Sequence, residues 1–552
     1  MFIRVFFVVL LAARMVLAAA PSPGMVVAQE RHAAAVGAQV LKDGGNAVDA
    51  AVATAFALAV THPIAGNIGG GGFLLVRLDN GRSEVIDFRE TGPTGSHPKM
   101  FLKDGRYDEA LHHESYLSVG VPGTVRGLHL AWQRHGKLPW KRLVEPAQRL
   151  AEEGFPLGEA LAAALKEYLP QISKNPAARA QFTQDGQSLE PGTLLRQPDL
   201  ARTLVRIAQQ GPDGFYRGET ARLIVREMKA NGGLITAKDL ANYRPVVRKP
   251  LRGTYRDLEL LCMPPPSGGG IALLEMLNQL EGFDLKALGQ DSPATLHLEA
   301  EAMRRAFADR ARWIGDPAFN PSIPLKRLGS KAYGEELRCT INPDRASTSS
   351  PDSFTWAKES EETTHLSVVD AQRNAVSLTY TLEDNFGSRI VVPGAGFLLN
   401  NEMGDFNGEP GRTDATGLIG TKPNGAEPRK RMLSSMCPTI LTRNGKLFMV
   451  TGSPGGRTIP NTTLQTILNV VDFGMDAQAA VNAPRIHHQW LPDEIALERK
   501  RFTDGQREAL KTMGHKLAER RRIGVAQTIV VGPDGALQGG ADVTRWAESA
   551  VE

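Results

Sequence analysis

The stretch Glu362-Thr363-Thr364-His365-Leu366-Ser367-Val368-Val369-Asp370 changes from acidic and polar residues to the alternation of a buried strand. A threonine at the head of such a strand is usually an ordinary core residue. If the chain is cut between Glu362 and Thr363, the threonine gains a free α-amino group, which can act as the base for its own hydroxyl. The sequence therefore offers two interpretations of Thr363, a core residue or a nucleophile.

Polar, turn-rich sequence precedes this stretch, from residue 343 to residue 362. Such a composition fits a scissile region, and it fits an interdomain linker equally well. Downstream, residues 365–369 and 375–382 are predicted to form a hairpin that places Thr381 on the return strand. The neighbourhood of Thr363 alone does not choose between the two interpretations.

A second hairpin signal lies at Asn444-Gly445, and a helix is predicted over 458–473. Gly455-Gly456 lies in the turn between that hairpin and that helix. Consecutive backbone N–H groups in such a turn can stabilise a developing oxyanion. The same two glycines would also be expected in an ordinary tight turn without a catalytic role.

Upstream, two helices are predicted at 31–42 and 46–60, the second with a capping box formed by Asn46 and Asp49. A hairpin follows them, and residues 118–342 are mostly helical in pattern. Two helices precede the first hairpin, and the helix over 458–473 follows later hairpins. This order of elements predicts an α+β fold, a four-layer αββα sandwich with a largely helical insert.

Composition is that of a soluble globular enzyme, with 552 residues, a net charge of +4 and 42% hydrophobic residues. Residues 1–18 have the pattern of a signal peptide, with a short N-terminal anchor as the alternative. No later segment has about 18 consecutive apolar residues, so no stable membrane span is expected. We therefore expect an exported protein, periplasmic or extracellular.

Other polar clusters predict no metal, cofactor or nucleic-acid site. The three cysteines are interpreted as buried thiols, with one disulfide and an odd thiol as the alternative, and His487-His488 as a structural pair without metal-ligand spacing. The run Glu519-Arg520-Arg521-Arg522 is interpreted as a solvated face.

Two groups of side chains are suited to the two ends of an amino acid. Donors for a carboxylate combined with acceptors for an ammonium describe an amino-acid-like ligand. From composition alone this grouping would be arbitrary, because charged residues are usually solvated. The donors are Arg89, Ser434 and Ser435, and the acceptors are Glu383, Glu402 and Asp405.

Several motifs, in order along the chain, resemble those of γ-glutamyltransferases (glutathione hydrolase proenzymes), which are N-terminal-nucleophile hydrolases. The resemblance covers essentially the whole mature chain. The matching motifs are Gly44-Gly45-Asn46-Ala47-Val48-Asp49-Ala50, Gly69-Gly70-Gly71-Gly72-Phe73, Asp87-Phe88-Arg89-Glu90, residues 363–370, Asn400-Asn401-Glu402-Met403-Gly404-Asp405-Phe406, Leu433-Ser434-Ser435-Met436, Thr451-Gly452-Ser453-Pro454-Gly455-Gly456 and residues 483–490.

The resemblance implies that Thr363 first attacks the Glu362–Thr363 peptide carbonyl. This cleavage would give a large subunit, 19–362, and a small subunit, 363–552, which together form a heterodimer. Mature Thr363 would then take the γ-glutamyl group from glutathione or a related compound and pass it to water, an amino acid or a dipeptide. No metal or organic cofactor is implied.

The same resemblance implies the remaining roles. Thr381 would position the nucleophile, and the N–H groups of Gly455 and Gly456 would form the oxyanion hole. The glutamyl α-carboxylate would be held by Arg89, Ser434 and Ser435, and the α-ammonium by Glu383, Glu402 and Asp405.

The sequence departs from the family pattern at two positions. Thr416 occupies a lid-like segment where an aromatic gate is expected, which bears on the balance between hydrolysis and transfer. Glu383 stands where some relatives have asparagine, and three neighbouring acids would raise one another's pKa. Two rivals therefore remain, a glutaryl or cephalosporin-type acylase and a non-catalytic exported protein that binds γ-glutamyl peptides.

Overall fold

Two antiparallel sheets that pack face to face form the centre of the molecule. The computed structural model describes residues 23–351, 363–416, 419–546 and 548–552. The predicted signal peptide and Glu362 lie outside these residues. In spatial order the seven-stranded sheet consists of Val246–Arg248, Ser83–Asp87, Gly71–Arg77, Ala375–Thr381, Thr364–Val369, Met25–Ala28 and Ala550–Val551.

The second sheet has six strands, and a separate smaller sheet has three. The Asn444-Gly445 turn has φ angles of 50° and 74°, which match the predicted two-residue hairpin. The six strands are Leu251–Tyr255, Leu258–Cys262, Thr439–Arg443, Lys446–Gly452, Gln527–Val531 and Leu537–Ala541, and the three are Ile486–His487, Ile495–Glu498 and Leu517–Arg520.

Side-chain alternation along the strands divides the interior into two cores. Leu74 and Val76 belong to the core that faces the N-terminal helices. Phe73 and Leu75 belong to the second core, which fills the space between the two sheets and continues to the helices on the six-stranded side. Polar residues also occupy the inter-sheet layer, where His365 Nδ1 lies 2.7 Å from Thr379 Oγ1. Burial lowers the pKa of His365 to about 3, so this imidazole is neutral.

Helices cover both outer faces and give the predicted αββα order of layers. Arg31–Lys42 and Ala47–Thr61 cover the seven-stranded sheet, and the second helix begins at the predicted capping box of Asn46 and Asp49. The helices on the six-stranded side are Gly269–Leu280, Pro293–Trp313, Lys331–Arg338, Thr458–Val471 and Ala477–Asn482.

A largely helical insert packs against the helix Ala47–Thr61, as predicted. Its hydrophobic residues join the same core as the N-terminal helices, so the insert extends one core. Its principal helices are Thr124–His135, Trp140–Glu153, Glu159–Glu167, Pro198–Gln210 and Gly218–Ala230.

Strands from both sides of Thr363 are hydrogen-bonded to one another within each central sheet. Thr364–Val369 lies between Ala375–Thr381 and Met25–Ala28, and Leu258–Cys262 pairs with Thr439–Arg443. A cut before Thr363 would leave these backbone hydrogen bonds intact. The topology is therefore compatible with two chains that remain associated.

Two further expectations concern cysteine burial and membrane spans. Cys262 and Cys437 are buried as predicted, but Cys339 is exposed at the end of a surface helix. Among the described residues, no helix combines the length and apolar character needed to cross a bilayer.

Candidate active site

Thr363 lies where two cavities meet. It precedes the first inner strand and has only 4% of its surface exposed. The next residue is fixed from the opposite strand, because Thr364 Oγ1 donates to Gln29 Oε1 at 2.6 Å. Thr363 is thus held at the end of a sheet and faces space on two sides.

We call the first space the carboxylate cavity, after the three acids in its wall. Nine of the ten residues predicted for catalysis and substrate binding line it. Met436 and Ile459 complete the described wall. The nine are Arg89, Thr363, Thr381, Glu383, Glu402, Asp405, Ser434, Ser435 and Gly456.

Arg89 is fully buried and holds two of the acids together. Its guanidinium donates to the carboxylates of Glu402 and Asp405 and to the Leu433 carbonyl, the last at 2.9 Å. Although burial opposes the charge, these carboxylates raise the pKa of Arg89, so it remains a cation. Glu90 lies 3.8 Å away, and burial raises its pKa to about 8.

Glu383 lies opposite this ion cluster in an unusual backbone conformation. Its φ of +83° is in the left-handed region, which asparagine adopts more readily than glutamate. Burial, reinforced by Asp384 and Asp405, raises the pKa of its carboxyl well above the usual value. Its Oε1 lies 3.1 Å from Nδ1 of His113, whose pKa burial lowers. Burial therefore disfavours the charged form of both side chains in this pair.

Thr381 and the glycine turn border the nucleophile. Thr381 ends its strand, and its Oγ1 accepts a hydrogen bond from the Glu383 amide at 2.9 Å. Gly455 and Gly456 lie between a strand and a helix, with φ angles of +125° and +51°. A Cβ on Gly455 would lie 2.3 Å from Thr458 Oγ1, so glycine is required there.

Ser434 and Ser435 lie close to Arg310, which the sequence analysis did not single out. Arg310 Nη2 donates to Ser435 Oγ at 2.8 Å and to the Ser434 carbonyl at 3.3 Å. Arg310 is buried near the end of the helix Pro293–Trp313. The helix was predicted, but one arginine among several at its end carries no sequence signal for this contact.

Asn400 is a second residue that the sequence analysis did not assign. Its Oδ1 accepts from the amides of Gly120 and Glu402, and its Nδ2 donates to the carbonyls of Gly69 and Gly120, all between 2.8 and 3.0 Å. One amide thereby joins three chain segments behind the carboxylate cavity. The motif contained Asn400, but only the three-dimensional contacts reveal this role.

We call the second space the guanidinium cavity, after two arginines in its wall. Thr363 belongs to the walls of both cavities, and Pro454 and Gly455 also line the guanidinium cavity. Arg520 and Arg522 line it, whereas Arg521 is exposed and does not. Glu519 and Arg521 are exposed and Arg520 and Arg522 are partly exposed, which agrees with the predicted solvated run.

Other residues considered from sequence lie away from this chemistry. Thr416 is exposed and its amide donates to Asp414 Oδ1 at 3.0 Å. His487 and His488 are buried, and His488 Nδ1 accepts from the Trp490 amide at 3.1 Å, as expected of a structural pair.

Two groups among the described residues have ligand atoms close enough to hold a metal ion. One is His113, Glu383 and Asp384, and the other is His297, Glu301 and His515. In the second group the two imidazoles are 2.7 Å apart, and Glu301 pairs with Arg304 and Arg305. Protein contacts therefore already satisfy that group.

A threonine at the head of an inner strand, in a two-sheet sandwich and beside a glycine turn, defines the class as N-terminal-nucleophile hydrolases. The family model described as gamma-glutamyltranspeptidase matches residues 33–551. The chain belongs to the γ-glutamyltranspeptidase family and is an enzyme of that family.

Individual relatives agree with this assignment. A glutathione hydrolase proenzyme of Escherichia coli (strain K12) is 46% identical over 524 residues, which cover 94% of this chain and 90% of the relative. An acylase ACY 1 proenzyme of Pseudomonas sp. (strain SE83) is 38% identical over 95% of this chain and 92% of its own. The crystal structure of cephalosporin acylase from Bacillus halodurans has a TM-score of 0.84 at 29% identity and covers 96% of both chains.

Proposed function

We propose that this protein cleaves the γ-glutamyl bond of glutathione and related compounds through a γ-glutamyl ester on Thr363. The observation that carries the proposal is that one small cavity combines Thr363 with Arg89, Glu402 and Asp405. These groups would recognise a carboxylate and an ammonium on the same carbon. The glutathione hydrolase names of relatives support the same substrate.

The ion cluster of Arg89, Glu402 and Asp405 suits a zwitterionic ligand, because the two charged groups of the ligand would replace the ion pairs within the cluster. Arg89 contacts Glu402 and Asp405. An α-carboxylate would take over contacts of the guanidinium, and an α-ammonium would take over contacts of the two acids. Since each charged group keeps an opposite charge, little additional desolvation is required. Ser434 and Ser435 would add hydroxyl contacts to the carboxylate.

Acyl transfer would follow with the residues around Thr363. Its α-amino group takes the hydroxyl proton while Oγ bonds to the γ-carbonyl carbon. The Gly455 and Gly456 N–H groups stabilise the oxyanion, a contribution of about 3–4 kcal/mol per donor in well-studied hydrolases. The C–N bond then breaks, and the α-ammonium returns the proton to the leaving amine. Water or an acceptor amine reverses these steps, and Thr381 holds Thr363 in position throughout.

The enzyme would mature by cleavage of its own chain and would act outside the cytoplasm. We propose that residues 1–18 direct export and that Thr363 cuts the Glu362–Thr363 bond. The products, 19–362 and 363–552, would stay together as a heterodimer through the shared sheets. The relatives named as proenzymes support this maturation.

Substitution of the nucleophile tests cleavage and catalysis together. Wild type should give a large and a small chain on a denaturing gel, and Thr363→Ala a single band with no γ-glutamyl anilide hydrolysis. Thr512→Ala is the control, because this threonine is exposed at the end of the helix Asp504–Thr512, and it should still be cut. An uncut wild-type chain with full activity would disprove the mechanism.

A second candidate function is deacylation of glutaryl or cephalosporin-type substrates. The structural similarity to a cephalosporin acylase favours it. A glutaryl group keeps the carboxylate that Arg89 would bind but lacks the ammonium. We expect γ-glutamyl anilide to be the better substrate because Glu402 and Asp405 would lose their partner with a glutaryl donor. Faster turnover of glutaryl anilide would favour the acylase instead.

A further inference from the structure

A cluster of three side chains at the edge of the carboxylate cavity has no role in the proposed acyl transfer as a group. His113, Glu383 and Asp384 offer one imidazole nitrogen and two carboxylate oxygens that all lie within 4.8 Å of one another. Of the three, Glu383 alone belongs to the wall of the carboxylate cavity. The cluster therefore shares one residue with the proposed substrate site and adds two from outside that wall.

Glu383 is the member that most needs a partner. Only 3% of its surface is exposed, and its Oε1 lies 3.1 Å from His113 Nδ1. Nevertheless, among the described residues no group donates a hydrogen bond of good geometry to either oxygen of this carboxylate. Buried carboxylates in proteins are paired with a cation or hydrogen-bonded, because an isolated buried charge is very unfavourable. Both oxygens of Glu383 are therefore suited to a cationic ligand.

His113 and Asp384 are held in position by one amide side chain. Asn401 Nδ2 donates to the His113 carbonyl and to Asp384 Oδ2, both at 3.2 Å, and Asn401 Oδ1 accepts from the Asp384 amide at 3.1 Å. Arg389 Nη2 donates to Asp384 Oδ2 at 3.2 Å as well. A carboxylate has about four lone-pair sites, so these contacts are compatible with a further bond from Asp384 to an ion.

A glycine keeps the space beside the histidine and the glutamate open. A Cβ on Gly404 would lie 2.5 Å from Glu383 Oε1 and 2.5 Å from His113 Nδ1. Bonds from Zn²⁺ to a carboxylate oxygen or an imidazole nitrogen are about 2.0–2.2 Å long. A side chain at position 404 would therefore crowd the two atoms that an ion must approach, and glycine leaves them accessible.

We propose that His113, Glu383 and Asp384 bind a divalent transition-metal ion, and that this ion excludes the substrate α-ammonium from Glu383. One imidazole with two carboxylates suits Zn²⁺ better than Mg²⁺, which prefers oxygen ligands and retains its water. Three protein ligands leave a fourth position of the ion for water. The ion is an inhibitor here and takes no part in acyl transfer. The binding site stands by itself, whereas inhibition rests on the proposed γ-glutamyl activity.

The first test measures binding without substrate. Mature, untagged enzyme is treated with EDTA, dialysed, and titrated with ZnCl₂ in a calorimeter. Wild type should bind one ion per heterodimer at this site, and His113→Ala should lose at least about a hundredfold in affinity, since even partners of metal ligands contribute about 10–100-fold. His97→Ala is the matched control, because His97 is exposed and outside the cluster, and its affinity should equal that of wild type. Equal affinity of wild type and His113→Ala would overturn the site.

The second test measures inhibition, with each variant compared with its own rate in EDTA. ZnCl₂ should raise the KM of wild type for γ-glutamyl p-nitroanilide without changing kcat, EDTA should reverse the effect, and MgCl₂ should have none. His113→Ala should need at least about a hundredfold more zinc for the same rise in KM, in line with its lost affinity. Inhibition of His113→Ala at the wild-type zinc concentration would place the ion elsewhere and overturn the proposal.

Two further arms keep the outcomes distinct. If His113→Ala does not mature, His113→Gln and Asp384→Asn are titrated in the same way, with the same expected loss of zinc affinity. If wild type binds zinc through His113 but cleaves no γ-glutamyl anilide, the proposed activity fails and the ion site stands. If wild type cleaves the anilide but its zinc affinity does not depend on His113, the ion site alone fails.

Discussion

The two cavities that meet at Thr363 are built from different parts of the molecule. The carboxylate cavity lies among buried residues at the ends of inner strands, and its central arginine has no exposed surface. The guanidinium cavity is larger, and its arginines come from a partly exposed segment near the third sheet. One nucleophile therefore has a rigid, charge-paired side and a more peripheral, basic side.

This difference separates two kinds of recognition. In the carboxylate cavity Arg89 is paired with Glu402 and Asp405, and the pKa of the Glu383 carboxyl is raised. A charged ligand must therefore replace existing ion pairs one for one. In the guanidinium cavity the two arginines are partly in water, where each contact contributes less. We therefore expect strict selection of the acyl group.

The largest expected effect comes from removing Arg89. Arg89→Met leaves Glu402 and Asp405 buried without their cation, and breaking a buried pair in this way costs about 3–5 kcal/mol. We expect kcat/KM for γ-glutamyl p-nitroanilide to fall about a thousandfold, with a lower melting temperature, because the same cluster would bind the substrate. Steady-state kinetics and thermal melts measure both.

Arg522→Met provides the matched comparison in the guanidinium cavity. On the same uncharged anilide its effect should stay within about twofold, because an arginine that is partly exposed contributes little to stability and the anilide has no carboxylate. Similar losses for the two arginine variants would contradict the distinction between the cavities.

The fold was predictable where local patterns are strong. The Asn46 capping box, the Asn444-Gly445 hairpin and the alternation after Thr363 each depend on short-range chemistry, and the structure has all three. The carboxylate cavity was predictable only through family resemblance. Its members come from positions as distant as Arg89 and Ser435, and no local pattern joins them.

The remaining features depend on tertiary contacts that leave no signal in sequence. Arg310 resembles any arginine at the end of a helix until its contact with Ser435 is seen. Arg520 and Arg522 belong to a charged run that normally indicates solvent exposure, and only the packing of Trp546 and Val525 makes a cavity there.

A smaller effect is expected from Thr381, which lies in the carboxylate cavity without carrying charge. Thr381→Val keeps the shape but removes the hydroxyl that would hold Thr363. We expect kcat to fall about thirtyfold with KM nearly unchanged, the effect of losing one hydrogen bond to a charged or reacting group. Thr379→Val, one inward position earlier on the strand and paired with His365, should leave KM and kcat for the anilide closer to wild type.

A rise in KM with kcat unchanged would instead show that Thr381 contributes to ground-state binding of the substrate. A variant that is fully cleaved and as active as wild type would remove Thr381 from the mechanism. Intact mass spectra establish the cleavage state before either rate is compared.

The smallest effect concerns pH and depends on Glu383. Burial raises the pKa of this carboxyl well above its usual value, so in the ligand-free enzyme it stays protonated to higher pH. An ammonium bound beside it favours the carboxylate and lowers that pKa. Binding therefore releases a proton, and it strengthens as pH rises towards the raised pKa of the ligand-free enzyme.

The ratio of KM for glutaryl anilide to KM for γ-glutamyl anilide isolates the effect of Glu383 ionisation on ammonium binding. Titration of the nucleophile affects both donors and therefore cancels in the ratio. We expect the ratio to rise with pH, by at most about tenfold per pH unit for one proton. Glu383→Gln cannot titrate, so its ratio should vary less with pH than that of wild type. If Glu383→Gln retains the full slope, the proton comes from another group, and Glu402 or Glu90 beside Arg89 becomes the acid that responds to the ammonium.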